Sequence, residues 1–168
     1  MANLVLVGLP GTGKTTLARA LADQRHDGAL DTDDLLALSV GVDAAQYLRE
    51  EGEQRFRERE VEALRAALQQ GTDTVIATGG GIVCSSAARE TLSDEFTLWL
   101  DCDDVVILSR LGESDRPLLA QRPAEALATL RREREAWYGQ VSRARIDTSA
   151  SIEDALAQVT REVERLTR

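Results

Sequence analysis

Residues 8–15 read Gly-Leu-Pro-Gly-Thr-Gly-Lys-Thr and match G-x-x-x-x-G-K-[ST] at every fixed position. No other stretch of the chain restricts its fold so strongly. Glycines let backbone N–H groups curl around phosphate oxygens with no Cβ in the way. A helix beginning near Lys14 turns its positive N-terminal end toward the same anion. Lys14 then reaches the β- and γ-phosphates, and the Thr15 hydroxyl can ligate Mg²⁺. The motif has this meaning only between a strand and a helix. Asn3-Leu4-Val5-Leu6-Val7 before it has the continuous apolar pattern of a buried parallel strand, and Leu17, Ala20 and Leu21 recur after it at helical spacing. An accidental glycine turn needs none of this. Gly11, Thr12, Gly13, Lys14, Thr15 and Thr16 are therefore the candidate phosphate-binding residues of a nucleotide site.

The same alternation continues along the chain. Strands are expected at Leu30-Asp31, at 74–77, at 96–100 and, more weakly, at 145–147. Helical patterns follow the phosphate loop and cover 33–40, 43–50, 53–70, 103–111 and 124–138, and Ser151-x-x-Asp154 caps a last helix. Gly71 is a C-cap candidate for the longest of them. Residues 112–123 are polar, rich in breakers and without periodicity, as a functional loop such as a lid is. The 168 residues fit one α/β domain with a parallel sheet and leave little room for a second.

Composition narrows the partners. A net charge of −9 repels nucleic acid and anionic lipid, and 4% aromatics argue against a base-stacking platform. Any anionic ligand must be held by a local cationic cluster. Cys84 and Cys102 form no CxxC pair, and His26 is the single histidine, so neither a disulfide framework nor a His/Cys zinc site is expected. A reduced, cytoplasmic setting follows, and no apolar run is long enough to span a bilayer. Of the 20 basic side chains, 19 are arginines, and the one lysine is Lys14.

Asp31-Thr32-Asp33-Asp34 closes the second strand, where ligands of an open α/β sheet bind. One carboxylate can hold Mg²⁺ through water and another can take the proton of a substrate hydroxyl, whereas helix capping alone needs only one of them. Leu98-Trp99-Leu100-Asp101 resembles a Walker-B strand, but Asp101 also precedes a helix and is read as a structural N-cap. Gly79-Gly80-Gly81, end-on to the third strand, permits a ligand to approach bare backbone. Cys84, just beyond, reads as a small packed side chain. Arg57, Arg116 and Arg134 cannot be separated by composition from sixteen other arginines.

Taken in order, the Gly8–Thr15 loop, Leu30-Asp31-Thr32-Asp33, Gly52-Glu53-Gln54-x-Phe56-Arg57-x-x-Glu60, Ala77-Thr78-Gly79-Gly80-Gly81, Arg116-Pro117-Leu118-Leu119 and Arg134 four residues before Tyr138 resemble the shikimate kinase family. The likeness runs from Leu4 to about Thr148. It implies a three-layer P-loop kinase fold of the nucleoside-monophosphate-kinase type, with a five-stranded parallel sheet, substrate-binding helices near 33–60 and a mobile lid near 112–123. It implies a monomer that transfers the ATP γ-phosphoryl group to the 3-hydroxyl of shikimate, on the route to chorismate, with Mg²⁺ on Thr15 and, through water, on Asp31. In similar enzymes Arg57 and Arg134 grip the shikimate carboxylate, Asp33 binds ring hydroxyls and serves as base, and Gly79, Gly80 and Gly81 add backbone contacts. Arg116 in the lid neutralises the transferring phosphate, and Arg110 packs near adenine.

Three positions depart from the pattern. Ala18 stands where glycine is common, the lid before Arg116 is about one residue short, and Ser149-Ala150-Ser151 lacks the basic residue frequent near adenine. A kinase of another polyol acid, such as gluconate, would keep the loop and lid without this ordered set. A guanine-specific switch needs an NKxD lysine that the chain does not have, and a non-catalytic ATP module would not need Asp33.

Overall fold

Side chains alternate across a strand, and in β1 (Leu4–Val7) both faces are buried. Leu4 and Leu6 point into one hydrophobic cluster, Val5 and Val7 into another. The chain is described by a computed structural model covering residues 3–71, 73–111 and 122–168. Besides β1 it has β2 (Gly28–Asp31), β3 (Thr74–Ala77), β4 (Phe96–Asp101) and β5 (Ala144–Asp147). All pairs are parallel, in the order β2-β3-β1-β4-β5. This is the expected five-stranded sheet.

Helices cover both faces. On the Leu4/Leu6 side, α1 (Lys14–Arg25) contributes Leu17 and Leu21, and α8 (Ile152–Leu166) contributes Ala155 and Val159. On the Val5/Val7 side lie α4 (Glu53–Gln69) with Val61 and Leu64, α5 (Ser86–Asp94) with Ala88 and Leu92, α6 (Asp104–Arg110) with Ile107, and α7 (Pro123–Val141) with Leu127 and Tyr138. Burial of each large side chain contributes roughly 1.5–3 kcal/mol, which makes β1 the best-anchored element of the sheet. A smaller cluster of Leu36, Phe56 and Ala63 joins α2 (Thr32–Val40), α4 and α3 (Ala44–Glu51), and α3 itself has no fully buried residue.

Chain connections diverge on either side of β1, which lies between β3 and β4. Ligands of such sheets bind at that divide, beyond the carboxyl ends of the strands. The Gly8–Gly13 loop leaves β1 there and Gly79-Gly80-Gly81 leaves β3 there. Helix α5 is not predicted by the sequence pattern. It starts at Ser85, whose side chain accepts from Ala88 N, and it buries only Ala88 and Leu92, too few to set a period. The lid expected near 112–123, including Arg116, Pro117, Leu118 and Leu119, lies outside the described residues except for its last two positions. Among the described residues no helix is long and apolar enough to cross a membrane.

Candidate active site

Helix α1 begins at Lys14 with Gly13 as N-cap in the left-handed region at φ 88°. No side chain caps it, so its first N–H groups stay open to an anion. Lys14 folds back over the loop, where its Nζ donates to Gly8 O at 2.8 Å and to Leu9 O at 2.9 Å. Burial lowers its pKa to about 8, against the opposing pull of Asp33 and Asp31. The ammonium is thus shielded from water and rests on acceptors that a phosphate can replace.

The end of β2 reaches the same place. Asp31 is the N-cap of α2, its Oδ1 accepting from Asp33 N at 2.9 Å, while its Oδ2 accepts from the Thr15 hydroxyl at 2.6 Å. One aspartate therefore does both things the sequence weighed as alternatives: it caps the helix and joins the phosphate loop. Burial, then the neighbouring Asp31 charge, pushes the Asp33 carboxyl up to about 6.

The three glycines leave room for the side chains around them. A Cβ on Gly79 would lie 2.7 Å from Asp33 Oδ1 and 2.8 Å from Glu60 Oε1, and one on Gly81 would lie 2.3 Å from Arg57 Nη1. Asp33, Glu60 and Arg57 thus close on bare backbone. Arg57 Nη1 donates to Glu60 Oε2 at 2.5 Å, and burial raises Glu60 to about 7 despite that partner. From α7, Arg134 Nη1 donates to Gly80 O at 3.1 Å. The Nε–H groups of both Arg57 and Arg134 are buried with no acceptor. Two guanidinium groups beside one cavity can grip an anion between them. The cavity, of about 710 Å³, is lined by Gly11, Lys14, Asp33, Arg57, Gly79 and Arg134 among others, which unites the phosphate loop with the arginine pair.

A second hollow of about 200 Å³ lies behind the loop, between Thr12, Gly13, Thr16, Arg110, Thr148 and Ile152. Thr148 Oγ1 donates to Thr12 O at 2.8 Å, and Arg110 Nη2 donates to Thr148 O at 2.6 Å. These bonds fasten the β5–α8 connection to the loop.

The shikimate kinase family model matches residues 10–164. The chain is 38% identical to the shikimate kinase of Symbiobacterium thermophilum over 163 residues, covering 94% of this chain and 93% of that one. It is 39% identical to that of Geobacter sulfurreducens over 161 residues, covering 94% and 88%. It superposes on the Acinetobacter baumannii shikimate kinase in complex with shikimate with a TM-score of 0.91 at 30% identity, over 100% of this chain and 95% of that one. The chain belongs to the shikimate kinase family. It is an ATP-dependent small-molecule kinase on a P-loop kinase fold, as the ordered motifs implied.

Within this member of the shikimate kinase family, the cavity gathers Gly11, Gly13, Lys14, Thr15, Thr16, Asp31, Asp33, Arg57, Gly79, Gly80, Gly81 and Arg134. Thr12 and Arg110 line the smaller hollow instead, and Arg116 lies outside the described residues. Asp101 is structural, but not as a helix cap. It is the last residue of β4, Asp103 holds the N-cap position of α6, and the buried Asp101 carboxylate pairs with Arg131 at 2.7 Å and with Arg145. Those partners are far off in sequence, which is why a local rule misassigned the role. Sequence reasoning also gave Glu60 no role of its own, although the i, i+3 spacing from Arg57 marks a same-face pair.

Proposed function

We propose that this cavity transfers the γ-phosphoryl group of ATP to the 3-hydroxyl of shikimate, on the route to chorismate, and that the chain does so as a cytoplasmic monomer. The observation that supports the reading is the pair of arginines, Arg57 and Arg134, that line one cavity with the phosphate loop. A carboxylate matches two guanidinium forks, and a protein of charge −9 needs such a cluster to retain an anion. Asp33 accepts from a ring hydroxyl and takes its proton as the 3-oxygen attacks the γ-phosphorus and the bond to the ADP oxygen breaks. Lys14 moves from its two carbonyl acceptors to the phosphates, and Arg116 neutralises the transferring group. The N–H groups of Gly80 and Gly81, which have no protein acceptor among the described residues, contribute backbone contacts. The smaller hollow takes the adenine, with Arg110 beside it.

The Thr15 hydroxyl and the Asp31 carboxylate fit Mg²⁺, a hard cation that keeps several waters and takes few protein ligands. Thr15 would hold the ion directly and Asp31 through water. When bound, Mg²⁺ offsets the charge of the phosphates. The direct test is turnover with ATP on shikimate, quinate and gluconate. Phosphorylation of shikimate at the 3-hydroxyl in strong preference supports the reading, and equal or greater turnover of gluconate overturns it.

A further inference from the structure

The Gly80 carbonyl takes two hydrogen bonds from α7, one from Arg134 Nη1 at 3.1 Å and one from the Tyr138 hydroxyl. The donors are four residues apart and so leave the same face of the helix. Tyr138 is fully buried, with its ring stacked on Trp99 at a centroid separation of 6.0 Å. A carbonyl can only accept, so the phenol proton must point at Gly80. The Arg134 guanidinium donates to the same carbonyl, so phenol and guanidinium share one acceptor. Burial raises the phenol pKa well above its ordinary value, so the group remains a donor throughout the working pH range.

Arg134 is therefore fixed through a carbonyl that Tyr138 also holds. Its Nη1 is committed to Gly80 O, and the phenol keeps that carbonyl in place. Arginine carries much rotamer entropy, and a donor that waits for substrate in the bound orientation loses none of it on binding. We propose that Tyr138 is a positioning residue for substrate binding: by tethering the Gly80 carbonyl to which Arg134 donates, it keeps the Arg134 guanidinium in place for the substrate carboxylate. The inference rests on the reading of Arg134 as a carboxylate ligand.

Tyr138→Phe keeps the ring and its stacking on Trp99 and removes one oxygen. The shikimate KM is expected to rise about 3- to 12-fold, the range for losing one neutral hydrogen bond. The ATP KM should stay within twofold and kcat within threefold. Weakened folding alone acts differently, since it lowers the active fraction and so kcat at unchanged KM. A shikimate KM that rises less than threefold overturns the proposal. Should Tyr138→Phe not fold, the two tyrosines of the chain, Tyr47 and Tyr138, allow a second route. Tyr47→Phe protein grown on 3-fluorotyrosine carries a single ¹⁹F signal, at position 138. Displacement of that signal by saturating shikimate supports the proposal, and an unmoved signal overturns it. Arg134→Gln separates the two levels of failure. If it raises the shikimate KM while Tyr138→Phe does not, only the positioning role falls. If neither variant does, the carboxylate reading of Arg134 falls with it.

Discussion

Thr15 Oγ1 donates to Asp31 Oδ2 at 2.6 Å, which ties the first turn of α1 to the end of β2 across the phosphate loop. The hydroxyl proton is directed at the carboxylate, so the lone pairs of Thr15 face away from it.

The first prediction concerns the metal. Thr15→Val and Asp31→Asn should each raise the Mg²⁺ concentration for half-maximal turnover about tenfold or more, by the usual effect of disturbing a metal's inner or outer partners. Asparagine at 31 still caps α2, so the melting temperature of Asp31→Asn should change little. A Mg²⁺ titration of the initial rate reads the effect, and an unchanged midpoint in both variants would remove these residues from the metal site.

Asp33 and Asp101 should separate activity from stability. Asp101 is 4% exposed, and its loss removes one partner from Arg131, which keeps Asp104 and the Cys102 carbonyl, and the carboxylate partner of the more exposed Arg145. Breaking a buried pair that leaves a charge uncompensated costs about 3–5 kcal/mol; with Asp104 still on Arg131 and Arg145 largely in water, about 1–2 kcal/mol is expected here. Asp101→Asn should therefore melt early in urea while its folded fraction turns over normally. Asp33→Asn should stay folded and lose most turnover, because hydroxyl orientation and proton acceptance both suffer. The reverse pattern would identify Asp101 as the catalytic carboxylate.

Arg57 should discriminate between substrates. Arg57→Ala is expected to weaken shikimate binding by roughly two to five kcal/mol, the range for a desolvated charge pair, with ATP affinity within twofold. Calorimetric titration with each ligand separates the two. Equal weakening would mean that Arg57 acts on the cavity as a whole, through the Glu60 it leaves unpaired.

Protonation sets both activity and stability. Asp33 near 6 must be deprotonated to accept a proton, Glu60 near 7 must be deprotonated to hold Arg57, and Lys14 near 8 must be protonated. The profile of kcat/KM, which reports the free enzyme, should fall below about pH 6–7 and above about pH 8. Stability runs the other way on the acid side. The folded Asp33 binds its proton more tightly than the unfolded chain does, so wild type loses stability relative to Asp33→Asn as pH rises from about 4 to about 6. The shift from 3.8 to about 6 bounds that loss at about 3 kcal/mol. Urea melts of both proteins at pH 4.5 and 7.5 measure it, and a constant difference would mean that Asp33 has an ordinary pKa.

What could be read in the sequence was what local spacing carries. The phosphate loop, the strand before it and the helix after it are consecutive, and each strand end of the site carries its residues within a few positions. The remainder depends on contacts between distant segments. Asp101 meets Arg131 thirty residues later and Arg145 forty-four residues later, so the chain alone pointed to a cap. The Gly80 tether is built from α7, more than fifty residues away. Glu60 lies in plain view beside Arg57, but only the fold shows it buried between Arg57 and Gly79. Helix α5 escaped because a nine-residue helix with two buried positions has no period to detect.

The last prediction uses the solitary lysine. Apart from the α-amino group, Lys14 is the only primary amine of the chain, so an amine-directed reagent has two sites. From the motif alone, backbone donors and a helix N-terminus around Lys14 are expected to lower its pKa. The structure shows instead an ammonium donating to Gly8 O and Leu9 O, with burial as the main cause of the fall to about 8. Two effects then compete in labelling. The lower pKa supplies more neutral amine at pH 8, and the burial slows a reagent's approach, so a small one is required. Inactivation should follow modification of Lys14 and accelerate through a midpoint near pH 8. ATP with Mg²⁺ pairs the ammonium with phosphate, which raises its pKa and covers it, so labelling should slow by about tenfold or more. Shikimate alone, bound at the arginine pair, should protect far less. Peptide mapping after partial reaction, with and without each ligand, reads all three effects in one experiment. Full activity with Lys14 quantitatively modified would exclude its phosphate role and, with it, the nucleotide site on which the proposed reaction depends.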